Sequence, residues 1–276
     1  MKLDRTSTEG DSEMFKYMKN KICAYDLEWV PDIALGRRMY DLSEEFWTDA
    51  QVLERIFREA GATEEVPRPF IKPILCRIVS IACVFRDFRE SAQKPLTIWS
   101  MADANEGLMI SEFLWRVGKA SPQLVGWNSS GSDLPILVQR AIANGVQAPD
   151  FFKRPDKPWE GRDYFAGDDW HIDLMYTMSP YDRRTRPKLS EMAQACGFAG
   201  KEGIDGSDVC PMYFEGRIDE IRKYNEADAV MTYKIWLKTV YTAGFIDADA
   251  YEHELTFITE EAERRKATPS LFSVTV

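Results

Sequence analysis

Apolar and polar positions along this chain change their period after about residue 100. Residues 22–28 form a short, nearly continuous apolar run that reads as a buried strand, broken by Val30-Pro31-Asp32. Residues 42–62 read as helical. Residues 70–86 are strand-rich, centred on 78–84, and 96–101 is another short strand. These three strands, joined by loops, suit an antiparallel meander. Beyond them helices and strands alternate. Residues 106–118 and 133–144 read as helices around a short strand at 124–127. Residues 147–168 are rich in proline, aromatics and charge, as a long surface loop would be. A strand is expected at 171–175, and helices at 188–196, 216–240 and 249–263. The class is α/β: a mixed sheet with helices on both faces. The expected division is a mobile leader at 1–18, one domain at 19–243 and a C-terminal helical extension at 244–276.

Composition narrows this picture. With 276 residues, 45% of them hydrophobic, the chain can bury one large core. The start is polar and carries no secretory signal, and no apolar stretch is long enough to span a bilayer, so a cytoplasmic protein without a membrane partner is expected. The five cysteines are scattered and lack CxxC spacing, as reduced core thiols would be. Two histidines cannot build a histidine-based zinc site. A net charge of −10 argues against an extended nucleic-acid coat but leaves room for a small site.

Three acidic patterns fall where core elements should present them. Asp26 and Glu28 flank Leu27 on the first predicted strand, so both project from one face. Their apolar neighbours mark a central strand, where two like charges need a cationic compensator. A hard divalent cation such as Mg²⁺ or Mn²⁺ is the simplest one. The same D-x-E pattern also arises by chance about once or twice in so acidic a chain. Asp133 opens a helix after Gly126-Trp127-Asn128, where an N-cap and a metal ligand are both open readings. In the long helix, Ile221, Tyr224, Asp228, Met231 and Ile235 follow a 3-4-3-4 spacing. Asp228 thus lies on the buried stripe, with Tyr224 one turn earlier on the same side. An arginine or backbone partner is the alternative to a metal there. Together the four acids and the phenol can hold two divalent cations and orient a water.

These motifs resemble the DEDD superfamily of 3′–5′ exonucleases. Tyr224-x-x-x-Asp228 is similar to its tyrosine branch. The histidine branch would need a histidine where Lys223 stands. A closer resemblance, over roughly 20–240, is to the predicted 3′–5′ exonucleases related to the proofreading domain of family B DNA polymerases. It is carried by Tyr25-Asp26-Leu27-Glu28-Trp29-Val30-Pro31-Asp32, Trp170-His171-Ile172-Asp173-Leu174-Met175, Gly203-Ile204-Asp205-Gly206-Ser207 and Gly216-Arg217-Ile218-Asp219-Glu220-Ile221. Trp29 and Ser132 depart from it, standing where a threonine and an aromatic are usual.

The resemblance implies a ribonuclease H-like fold, with Asp26, Glu28, Asp133 and Asp228 as ligands of two cations, Mg²⁺ or Mn²⁺. Tyr224 would position the attacking water, and Asn128 fits the family's second motif. The implied activity is hydrolysis of nucleic acid, in the first place single-stranded DNA, to nucleoside 5′-monophosphates. The implied partners are 3′ ends of single-stranded DNA or RNA and replication or repair proteins. No polymerase domain fits in the chain, so any proofreading is expected in trans. The alternatives are an inactive nuclease-like scaffold that binds nucleic acid or protein, and an exoribonuclease acting on short RNA. No readable motif makes the 2′-hydroxyl contact that separates RNA from DNA, and oligomeric state is equally illegible. Trp29 can stack on a terminal base or sit half-buried in the core. Arg183, Arg184, Arg186 and Lys188 form the densest basic cluster, suited to gripping phosphates or to a solvated loop. The loop with Phe151, Phe152, Lys153, Arg154 and Trp159 is a second, weaker candidate surface.

Overall fold

A computed structural model describes residues 17–89, 95–157, 160–198 and 205–267. Most of the leader, Trp159, Gly203, Ile204 and the last residues of the tail lie outside that range. In chain order the elements are β1 (Lys21–Pro31), α1 (Ile33–Tyr40), α2 (Asp49–Glu59), β2 (Cys76–Asp87), β3 (Leu96–Met101), α3 (Glu106–Ala120), β4 (Gln123–Gly126), α4 (Asp133–Ala143), α5 (Pro149–Phe152), β5 (His171–Asp173), α6 (Leu174–Met178), α7 (Leu189–Ala195), α8 (Val209–Phe214), α9 (Ile218–Thr242) and α10 (Ala248–Ala267). The strands form a five-stranded sheet in the order β3-β2-β1-β4-β5. The first three are antiparallel and the last three parallel, so β1 is the seam between the two halves. With helices on both faces, this is the ribonuclease H-like α/β architecture.

Alternation along β1 divides the core. Cys23, Tyr25 and Leu27 pack with Phe113 and Val117 of α3 and with Ile136 and Leu137 of α4. Ile22 and Ala24 face the other way, toward Tyr233, Trp236 and Leu237 of α9. Helix α10 closes on this second core through Tyr251 and Ile258. The five cysteines are free, and Cys23, Cys76 and Cys83 are buried.

Several elements differ from the sequence expectation. Val30 and Pro31 continue β1, with Pro31 opposite Cys76. Leu27 turns its N–H away from β2, to Asp133, and by alternation Pro31 faces the same way. Strand β4 pairs with β1 only as far as Ala24, so the N–H that proline lacks has no ladder partner to lose. The helix expected over 42–62 occupies only Asp49–Glu59, and α1 precedes it. Asp32 and the Thr48–Gln51 capping box start these helices, and Asp41 in the left-handed region (φ 54°) ends the first. The 147–168 loop contains the short α5. The strand expected at 171–175 turns at Asp173, whose carboxylate caps α6.

One buried ion pair fastens α10 to the sheet. Arg86 of β2 donates from Nε to Glu254 at 2.8 Å and makes a second bond to the same carboxylate. Both residues are buried, and the guanidinium lies against the Phe88 ring. Removing one member leaves a charge stranded in the core. Glu254→Ala should therefore destabilise the protein by about 3–5 kcal/mol, read as a lower urea midpoint. Arg86→Met combined with Glu254→Leu should recover most of that loss; a double variant as weak as Glu254→Ala would count against this account.

Candidate active site

The acids of β1 sit where the sheet is distorted. Glu28 pairs with Ser80, but the next residue, Trp29, pairs with Ile78, so Val79 is extra on β2. The bulge sends consecutive β2 side chains to one face. Ser80 bonds Asn225 of α9, and Val79 packs beside Ile221 of the same helix. Asp26 and Glu28 project to that face too, by alternation from Ile22 and Ala24.

Helix α9 lies across them. Ile221, Asn225, Asp228 and Thr232 form its buried stripe here. Asp26, Glu28 and Asp228 each offer a carboxylate oxygen, all within 4.8 Å of one another. Tyr224, one turn before Asp228, has its phenol beside that carboxylate. Burial, and then the charges of Asp228, Glu28 and Asp26, raise the phenol pKa far above its usual value. Tyr224 therefore keeps its proton at neutral pH and serves as a donor. Asn225 bonds Asp26 at 2.6 Å.

Asp133 stands beside this trio rather than in it. It is the first residue of α4, is buried, and accepts the Leu27 N–H at 3.1 Å through Oδ1. It thus grips the backbone between the two acids of β1. Its loop turns sharply: a Cβ on Gly126 would lie 2.3 Å from that of Ser129, so only glycine fits. Asn128 takes the left-handed conformation (φ 57°). The carboxylate of Asp173 holds the loop, accepting from the N–H groups of Asn128 (3.0 Å) and Ser130 (2.9 Å). Beneath it, His171 Nε2 bonds Tyr25 Oη at 3.2 Å and Ser129 Oγ at 3.0 Å. Asn225 and Asp173 are the residues that sequence reasoning missed. A signal existed for each: a polar residue on the buried stripe, and an aspartate ending a strand before a helix.

The other candidates lie further from the trio in role or face. Trp29 is half-buried, packs with the α3–α4 core and meets Phe70 edge-on at 5.5 Å, so alternation puts it opposite Glu28. Arg183 and Arg184 are exposed, and Asp182 pairs with Arg184 at 2.8 Å. Arg186 bonds the Ser179 carbonyl and lies over the Tyr176 ring. Lys188 is exposed at the start of α7. This loop follows β5, and so leaves the sheet at the carboxyl end of its parallel strands, as the Asn128–Asp133 loop does.

Burial acts oppositely on two groups near the loop. It pushes Asp133 up to about 7, helped by the charge of Asp173, and pulls His171 down to about 4. The stability tied to Asp133 is present below its unfolded pKa of about 3.9 and is lost as pH rises through about 7. That tied to His171 is present above about 6.5 and is lost as pH falls through about 4. Asp133→Asn removes the first effect and leaves the second. In EDTA the variant should melt above the wild type at pH 8, and its advantage should shrink steadily toward pH 4.5. Melting curves with the opposite pH trend would contradict these assignments.

Among the described residues no helix is long and apolar enough to cross a membrane. No curated protein matches the chain. A family model, described as a predicted 3′–5′ exonuclease related to the exonuclease domain of PolB, matches residues 68–272. Asp133, Asp173, Tyr224, Asn225 and Asp228 fall within the match, while Asp26 and Glu28 precede it and join the site through β1. With about three quarters of its length so matched, and β1 completing the acid trio, the chain belongs to this family of predicted 3′–5′ exonucleases.

Proposed function

We propose that the protein is a metal-dependent 3′–5′ exonuclease of the tyrosine branch, which removes nucleoside 5′-monophosphates from single-stranded DNA. The observation that carries this reading is the convergence of Asp26, Glu28 and Asp228, with the protonated Tyr224 hydroxyl beside them. Three crowded carboxylates offer only hard oxygen donors, the set that fits Mg²⁺ or Mn²⁺. Asp26, Glu28 and Asp228 would hold one cation, and Asp26 with Asp133 would serve a second. Bound there, such cations supply an acidified water and charge neutralisation at the scissile phosphate.

The chain's own groups do the rest. Tyr224 donates to or orients the attacking water, since a phenol with an ordinary pKa near 10 is a poor base at neutral pH. Water oxygen bonds to the terminal phosphorus, the bond from phosphorus to the 3′ oxygen breaks, and that oxygen leaves with a proton. Asn128 and Ser130, fixed by Asp173, hold Asp133 at the edge of the site. Arg183 and Arg186 receive the phosphates of the incoming strand. A scaffold that binds without cutting needs no such set of acids beside a protonated phenol.

The direct test uses 3′-labelled and 5′-labelled single-stranded DNA and RNA with Mg²⁺, Mn²⁺ or EDTA. Stepwise loss from the 3′ end, only with metal, is expected. Asp26→Ala and Asp228→Ala should abolish it, and Tyr224→Phe should slow it by about 10²-fold. Full activity in the Asp228→Ala protein would refute the site. Separately, Arg183→Glu with Arg186→Glu should weaken DNA binding and lower the slope of log affinity against log salt. An unchanged slope would remove the basic loop from the binding surface.

A further inference from the structure

Asn225 has no exposed surface, yet it carries an amide into the core on the sheet-facing side of α9. A buried amide without partners is costly, so its bonds explain its place. Nδ2 donates to Asp26 Oδ2 at 2.6 Å, and Oδ1 accepts from Ser80 Oγ at 2.8 Å. Chemistry fixes the direction of this relay. An ionised carboxylate can only accept, so the amide must turn its NH₂ to Asp26 and its carbonyl to Ser80, which must donate. The amide flipped over would set its carbonyl oxygen against the carboxylate.

The relay also has a rigid base. Ser80 is the ladder partner of Glu28, at the step where the bulge begins. The Asp26 side chain is therefore tied, through α9, to the strand that faces its own neighbour in the trio. A carboxylate in a strand otherwise turns among rotamers, and each loses the shared geometry that a cation needs.

We propose that Asn225 is a positioning residue for Asp26, with Ser80 setting the amide, so that the carboxylate faces Glu28 and Asp228 before any cation arrives. This rests on the reading of the trio as a metal site. Residues that orient metal ligands in this way typically govern affinity by about 10–100-fold.

The test is calorimetric titration of Mn²⁺ into the full-length chain without nucleic acid, for wild type, Asn225→Ala, Ser80→Ala and Asp26→Ala. Circular dichroism in EDTA checks the fold of each. Asn225→Ala should weaken Mn²⁺ binding by about 10–100-fold with a native spectrum. Ser80→Ala should shift it less in the same direction, and Asp26→Ala should lose it. Wild-type affinity in Asn225→Ala overturns the positioning role while leaving the metal site standing. If that variant does not fold, wild-type affinity in Ser80→Ala has the same force. Weakened binding only in chains with a non-native spectrum makes Asn225 structural and also overturns it. A wild-type chain that takes up no Mn²⁺ overturns the metal reading and this inference together.

Discussion

Crowding of negative charge on one face of β1 is the constraint to which the surrounding structure answers. Asp26, Glu28 and Asp228 offer oxygens within 4.8 Å of one another, and Asp228 is buried. Two like charges about 4 Å apart repel by about 4 kcal/mol at an effective dielectric of about 20. That repulsion opposes the docking of α9 on the sheet. What overcomes it is apolar: Tyr233, Ile235, Trp236 and Leu237 of α9 are fully buried further along the helix. The helix spans 25 residues, so its acid-bearing first half is held down by the anchored remainder. A divalent cation would relieve the repulsion without requiring the helix to move.

The site has two halves with separate supports. Asp228, Tyr224 and Asn225 belong to α9 and are placed by the second core. Asp133 opens α4 at the end of the loop after β4, which Asp173 and Gly126 shape from beneath. The halves meet at β1: its even residues present Asp26 and Glu28 to α9, and the N–H of Leu27 between them is taken by Asp133. One strand thus registers both halves to within a residue. That register is secure because β1 is paired on one side along its whole length, while β4 stops early and leaves its other edge open to Asp133.

Periodicity made the strands, the long helix and the layered class legible, because each has a one-sided or fully buried apolar pattern. It also put Asp228 on a buried face, and alternation put Asp26 and Glu28 together. Local capping chemistry was harder to read. The pattern over residues 42–62 masked the Thr48–Gln51 box that starts α2 late, and Asp41 could not be seen to end α1. Asn225 was hidden because the spacing read from the sequence ran through its neighbour Tyr224, and its partners lie 145 and 199 residues away in sequence. Asp173 was hidden for a related reason: its contacts to Asn128 and Ser130 exist only once β5 lies beside β4.

Net charge gives the proposed activity its last physical condition. A chain of −10 repels a polyanion at long range, and its acid trio would repel a phosphate at contact. The exposed Arg183 and Arg184 do not reverse that field, since Asp182 already neutralises one of them. Cations held by these acids would cancel their charge at the point where the phosphate must sit. Substrate binding and hydrolysis should then share one requirement, because the carboxylates that make the site hostile to nucleic acid are the groups that recruit the charge to admit it.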